Sequence, residues 1–319
     1  DVSVLMELRA RFDEQNNISW AERLEDAGCT VQYGFEGVKV HSKICLITRR
    51  ERGSIQHITQ VGTGNYNEKT AKLYTDLCLI TSNPATGADA AAFFQNMSIS
   101  NLEGEYRHLL VAPNGLKNRL ISLIDGETAK ARAGKPAHIF IKCNSVTDRD
   151  LIDKLSEASQ AGVDIVLNVR GICCLRPGVP GKTDRIRVFS IVGRYLEHPR
   201  IFAFGVGKDA RLYIGSADLM TRNTERRVEI ACPVLDEGIR RQIAHYVDVL
   251  CRDNGKARLM GSDGHYFPVP DRGEAPLDAQ AAFMEEAARQ EPAPGAVSPA
   301  PERRKGFFAA VLDRLKSRS

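Results

Sequence analysis

Short apolar runs alternate with longer stretches in which apolar positions recur every three or four residues, and this rhythm repeats along the chain. Val2–Leu8 reads as a strand, Ile18–Ala27 as an amphipathic helix stopped by Gly28, and Thr30–Tyr33 as the next strand. The same order returns at Ala137–Asn144, Asp148–Ala161, Gly162 and Asp164–Arg170, and both helices end in Ala-Gly. The spacing of about 150 residues marks an internal duplication and is too long for a solenoid repeat. Between the copies, Ala88–Asn101 and Gly115–Ala133 read as helices and Tyr106–Val111 as a strand, which places a boundary near Gly104. Strands alternating with helices predict an α/β fold of two duplicated domains, residues 1–104 and 105–270, each a mixed sheet flanked by helices. Residues 271–302, rich in Pro, Ala, Gly and Glu, read as a linker holding one helix, Leu277–Arg289. Residues 303–319 read as a basic amphipathic tail, with Phe308, Val311, Leu312 and Leu315 at helical spacing.

Composition narrows the class. With 319 residues, 43% hydrophobic and 26% charged, the chain reads as soluble and globular, with room for two cores. No apolar run approaches the ~18 residues of a membrane span. The chain opens at Asp1 inside an apolar strand, which reads as the continuation of a longer protein. A net charge of +4 decides little, but arginines cluster at Arg49, Arg50 and Arg52 and again at Arg222, Arg226 and Arg227. Eight cysteines show no C-x-x-C pair and no zinc-finger spacing, so a reducing cytoplasm is expected.

The duplication extends to chemistry. His41-Ser42-Lys43 is followed by the turn Gly62-Thr63-Gly64-Asn65, and His198-Pro199-Arg200 by Gly215-Ser216-Ala217-Asp218. An acid in an apolar run comes fourteen residues after the first glycine of each turn, Asp76 in one copy and Glu229 in the other. Two half-sites of this kind suit a phosphoryl group attacked from one side and released on the other. An unprotonated imidazole is a nucleophile toward phosphorus near neutral pH, and a second histidine can manage the proton on the oxygen opposite. Lys43 and Arg200, two residues beyond each histidine, are expected on the same strand face, offsetting charge on the phosphoryl oxygens. The glycine turns expose backbone donors to the same oxygens, and from those turns Asn65 is expected to bind phosphate and Asp218 to join the site. His57, His108, His138, His245 and His265 have no such company and read as structural or exposed.

Paired half-sites resemble the phospholipase-D-like superfamily. Its phosphodiesterases carry an aspartate seven residues after each histidine, where this chain has Thr48 and Gly205, and Arg200 replaces the second lysine. These departures weigh against phosphodiester hydrolysis. The longer strings GVKVHSKICLITRR, TQVGTGNYNEKTAKLYTDLCLIT, VGRYLEHPRIFAFG and YIGSADLMTRNTERRVEIACPVLD resemble the C-terminal half of bacterial polyphosphate kinase, the first family of that name. With LRARFDEQNNISWAERL and DIVLNVRGICCL, the resemblance runs from Val2 to Pro270.

The resemblance implies two phospholipase-D-like domains and reversible transfer of the terminal phosphate of ATP to inorganic polyphosphate, through a phosphohistidine and with Mg²⁺. By motif it implies His41 in VKVHSK as the phosphorylated residue. His198 in YLEHPR is implied at the nucleotide phosphates and as acid/base, Tyr74 in KLYTD stacked on adenine, and Arg170 in LNVRG at the ATP phosphates. Arg11 in RARFDE falls in the magnesium–phosphate region; a guanidinium has no lone pair for a metal, so it is expected to hold phosphate oxygens. The family further implies a homo-oligomer, ATP/ADP and polyphosphate as partners rather than nucleic acid, and part of the adenine pocket supplied from upstream of this chain. A cytoplasmic protein is expected, with at most weak contact between its basic tail and the inner membrane. The alternatives are a phospholipase-D-like phosphodiesterase and an inactive polyanion-binding fragment.

Overall fold

A computed structural model describes residues 1–8, 14–51, 53–271 and 273–289; Arg11, Arg52, residues 290–302 of the expected linker and the basic tail lie outside the described residues. One compact unit comprises residues 1–35 and 282–289. In it Ser3–Met6 pairs in parallel with Thr30–Tyr33, joined through the helix Glu14–Asp26. The helix starts ahead of its apolar stripe, at Glu14, where a carboxylate complements the exposed N–H groups of a helix N-terminus.

Residues 36–281 form the other unit. Its spine is a ten-stranded mixed sheet. The strand order is Tyr266–Pro268, Ala257–Met260, Ile186–Ile191, Asp164–Val169, His138–Cys143, Arg200–Phe204, Arg211–Gly215, Arg227–Pro233 and Lys39–Val40, with Leu110–Ala112 also paired to Arg227–Pro233. His138–Cys143 and Asp164–Val169 are the parallel centre. Ile139, Ile141, Ile165 and Leu167 from one face join Leu120 and Ile124 of helix Leu116–Arg132 and Leu151 and Leu155 of helix Arg149–Gln160 in a single core. Asp148 caps the second of these helices by accepting from Leu151 N at 3.2 Å, and Gly162, at φ +102°, ends it in a backbone conformation that glycine adopts at no steric cost. Helix Glu237–Arg252 faces the other side of the sheet. The mixed α/β architecture with flanking helices is thus as expected.

Two strand expectations need correction. The His-x-basic triplets do not run through strands; each sits where the chain changes sheets. Lys39–Val40 lies parallel to Arg227–Pro233, whereas Ile44–Glu51 belongs to a separate antiparallel sheet with Ser54–Gly62 and Cys78–Thr81, so residues 41–43 make the crossing. Likewise Leu196–Glu197 pairs in parallel with Tyr74–Thr75, and after His198-Pro199 the chain enters the large sheet as Arg200–Phe204. The strand expected at Tyr106–Val111 shortens to Leu110–Ala112, because the Asp89 carboxylate accepts from His108 N and Leu109 N in place of a ladder partner.

Candidate active site

The short parallel pairings bring the two half-sites together and exchange their acids. Lys39–Val40 against Arg227–Val228 holds His41 N on Val228 O at 2.9 Å, one residue from Glu229. His41 Nδ1 then meets Glu229 Oε2 at 2.9 Å. The pairing of Leu196–Glu197 with Tyr74–Thr75 sets His198 Nδ1 at 2.8 Å from Asp76 Oδ1. Each histidine therefore takes its carboxylate from the opposite copy. Gly64 lies against the second dyad: a Cβ there would stand 2.1 Å from Asp76 Oδ2.

The two dyads are not equivalent. Glu229 has a side chain 0% exposed, whereas that of Asp76 is 26% exposed. Glu229 also accepts from Ser216 Oγ at 2.5 Å and Asn223 Nδ2 at 2.6 Å. Burial works to raise its carboxyl, but the His41 and Lys43 interactions and the Ser216 hydroxyl outweigh it and hold it below the usual range. Asp76 accepts from Thr63 Oγ1 at 2.6 Å. An ionised carboxylate only accepts, so Nδ1 of both imidazoles carries the proton and Nε2 the lone pair. At His198 that lone pair faces Arg200 Nη1 at 3.0 Å. At His41, Nε2 makes no hydrogen bond among the described residues. Burial pushes both histidines below the ordinary imidazole value, against the pull of their carboxylates, and so favours the neutral form of each.

Around them the expected cations take different positions. Lys43 is buried and donates to His41 O; burial lowers its pKa to about 7. Arg200 is buried in a two-pronged pair with Asp218, both contacts at 3.2 Å, and also donates to His198 O at 2.8 Å. Asp218 accepts in addition from Asn144 N at 2.7 Å, and Asn144 Oδ1 accepts from Arg170 Nε at 3.1 Å. Arg170 thus joins the site through a polar chain, half-buried just beyond Asp164–Val169. The Tyr74 ring lies 5.1 Å from the His198 ring, tilted at 49°. Asn65 is exposed in its turn, with no side-chain hydrogen bond among the described residues. Lys43 and Arg200 reach their histidines across a sheet crossing, not along one strand face as expected.

Sequence reasoning missed three groups. Ser216 was read as a backbone turn, Asn223 was given no role of its own, and Lys142 sits wholly buried in the apolar run of His138–Cys143. Lys142 Nζ pairs with Glu197 at 2.9 Å and donates to Asn168 Oδ1 at 3.0 Å. Glu197 Oε1 accepts from Gln280 Nε2 at 2.7 Å. This cluster lies directly behind the Leu196–Glu197 and Tyr74–Thr75 pairing that carries His198 and Tyr74. Elsewhere, His57 Nδ1 bonds Thr48 Oγ1 at 3.0 Å, so the position of the absent aspartate serves a strand contact.

Comparison with known proteins gives this arrangement a family. A model described as polyphosphate kinase C-terminal domain 2 matches residues 109–280, and one described as polyphosphate kinase C-terminal domain 1 matches residues 1–103. The chain is 48% identical over 286 residues to the polyphosphate kinase of Staphylococcus haemolyticus, covering 90% of this chain and 40% of that protein. To the polyphosphate kinase of Bacillus cereus it is 48% identical over 279 residues, covering 88% of this chain and 40% of that protein. The crystal structure of polyphosphate kinase from Porphyromonas gingivalis superposes with a TM-score of 0.82 at 38% identity, over 90% of this chain and 44% of that one. The chain therefore spans about 40% of the length of these curated relatives. With two family models matched over most of its length and relatives at 48% identity, the chain belongs to the polyphosphate kinase family.

Proposed function

We propose that this site moves the terminal phosphoryl group of ATP to inorganic polyphosphate, reversibly, by way of His41. The observation that carries the reading is the asymmetry of the dyads: His41 presents an open Nε2 lone pair, and His198 does not. In the first step Nε2 attacks the γ-phosphorus, a P–N bond forms, and the bond to the bridging oxygen breaks with its electron pair leaving on ADP. In the second step the terminal oxygen of polyphosphate attacks the phosphorus, the P–N bond breaks, and the lone pair returns to Nε2. His198 manages the proton at the departing or arriving oxygen, which requires its Nε2 to exchange Arg200 for that oxygen. Lys43, with its pKa of about 7, takes a proton when phosphoryl oxygens arrive, and Arg170 approaches the same charge. Tyr74, beside His198, offers a flat face to the adenine.

Magnesium enters as part of the nucleotide substrate. Among the described residues no group of three or more His, Cys, Asp or Glu side chains is placed to hold a metal ion. The nearby carboxylates are also engaged, Glu229 by three donors, Asp76 by His198 and Thr63, and Asp218 by Arg200 and Asn144. These residues do not fit a resident magnesium site, whereas the phosphates of a bound nucleotide supply oxygen ligands of their own. Arg11 stays a proposed phosphate contact, and assembly into a homo-oligomer is proposed on family grounds. No helix among the described residues is long and apolar enough to cross a membrane.

Incubation with γ-labelled ATP and Mg²⁺ tests the reading. Wild type is expected to acquire acid-labile, alkali-stable label that polyphosphate removes, and folded His41→Ala to acquire none. Label that persists in His41→Ala, or a folded wild type that takes none, would refute it.

A further inference from the structure

The end of the large sheet away from the histidines carries a pocket that the proposed chemistry does not use. It encloses ≈ 260 Å³ and is framed by Arg107, His108, Arg119, Arg211 and Arg240. Arg107 and His108 precede Leu110–Ala112, Arg119 projects from the first turns of Leu116–Arg132, and Arg240 from the start of Glu237–Arg252. Arg211 begins the strand Arg211–Gly215, whose other end adjoins Ser216 of the catalytic centre. At about 3.3 Å per residue the two sites lie on the order of 13 Å apart along that strand.

Four guanidinium groups converge here, and among the described residues no carboxylate lines the pocket. Among the described residues the side chains of Arg107, Arg119 and Arg211 make no hydrogen bond or ion pair. Arg240 is oriented by donation to Ala210 O. Converging like charges repel unless an anion lies between them, and the planar fork of arginine matches phosphate oxygens two at a time. The volume falls below the roughly 300–1,000 Å³ of sites for larger organic ligands, so the anion is compact. A single phosphate brings about two negative charges against the three of Arg107, Arg119 and Arg211, whereas two or three condensed phosphoryl groups bring enough to balance them.

We propose that this pocket is a second anion site, taking two or three condensed phosphoryl groups of an oligophosphate. The inference stands on the pocket alone and survives if the kinase reading fails. Free oligophosphate and the phosphate tail of a nucleotide share this chemistry, so both serve as probes. Calorimetric titration of wild type and R119Q/R211Q with inorganic tripolyphosphate, and separately with ATP, tests it. Both substituted residues are exposed, so the variant is expected to fold. Wild type is expected to show a class of sites, weakened by added salt, that the variant loses, with affinity falling about tenfold per arginine. Tripolyphosphate binding there more tightly than ATP marks free oligophosphate as the ligand; the reverse order marks a nucleotide. Equal stoichiometry and affinity in wild type and variant would overturn the proposal. So would unchanged binding together with a lower melting temperature of the variant in phosphate-free buffer, which would assign these arginines to a protein contact.

Discussion

Lys43 carries the clearest electrostatic signature in the candidate active site. Buried beside His41 and near Arg200, it has a pKa of about 7, so it is largely neutral in the free site above that pH. A phosphoryl anion favours the charged form and raises that pKa, so binding takes up a proton. Titration with ATP at about pH 8, in two buffers of different ionisation heat, is expected to show uptake of up to one proton that Lys43→Met abolishes. Equal apparent heats in the two buffers would mean that Lys43 does not change charge. The proposed catalytic pair was legible at this scale because each histidine recurs with a cation, a glycine turn and an acid at matched spacing. Ser216 and Asn223 were not, since their importance lies in donating to Glu229, and a serine or asparagine in a turn reads the same whether its side chain faces solvent or a carboxylate.

The decisive elements are two parallel pairings of two residues each, Lys39–Val40 with Arg227–Val228 and Leu196–Glu197 with Tyr74–Thr75. Neither is long enough to leave a periodic pattern, which is why the strands appeared to run through the histidines. The five helices placed from the sequence were readable to within about a turn, whereas Glu237–Arg252 was not placed at all. The second pairing is pinned from behind by Lys142 and Glu197, both buried. Lys142→Met strands the Glu197 charge and is expected to cost about 3–5 kcal/mol in urea unfolding. Adding Glu197→Gln removes the second charge and is expected to recover part of that loss. A double variant no more stable than the single one would show that the pair does not hold this element.

Over the whole molecule, two copies separated in sequence by about 150 residues close around one centre, and each lends the other its acid. The duplication and the mixed α/β class follow from the order of elements. The exchange of acids does not, because it depends on which remote strands meet, and both acids lie at equivalent places in equivalent runs. The arginine pocket was equally hidden: Arg107, Arg119, Arg211 and Arg240 come from four separate segments and converge only in the fold. Exchange of the acids sets a residue of the second copy, Glu229, against the proposed nucleophile of the first, His41. The most direct measurement is to locate the phosphoryl group on the phosphorylated protein by ³¹P–¹⁵N NMR, in wild type and in Glu229→Gln. The side-chain amide introduced by Glu229→Gln can donate to Nδ1 and turn the imidazole to its other tautomer, so phosphorylation is expected to slow about 100- to 10,000-fold. In wild type the phosphoryl group is expected on Nε2 of His41. A phosphoryl group on Nδ1 or on His198, or a Glu229→Gln protein phosphorylated at the wild-type rate, would contradict the account.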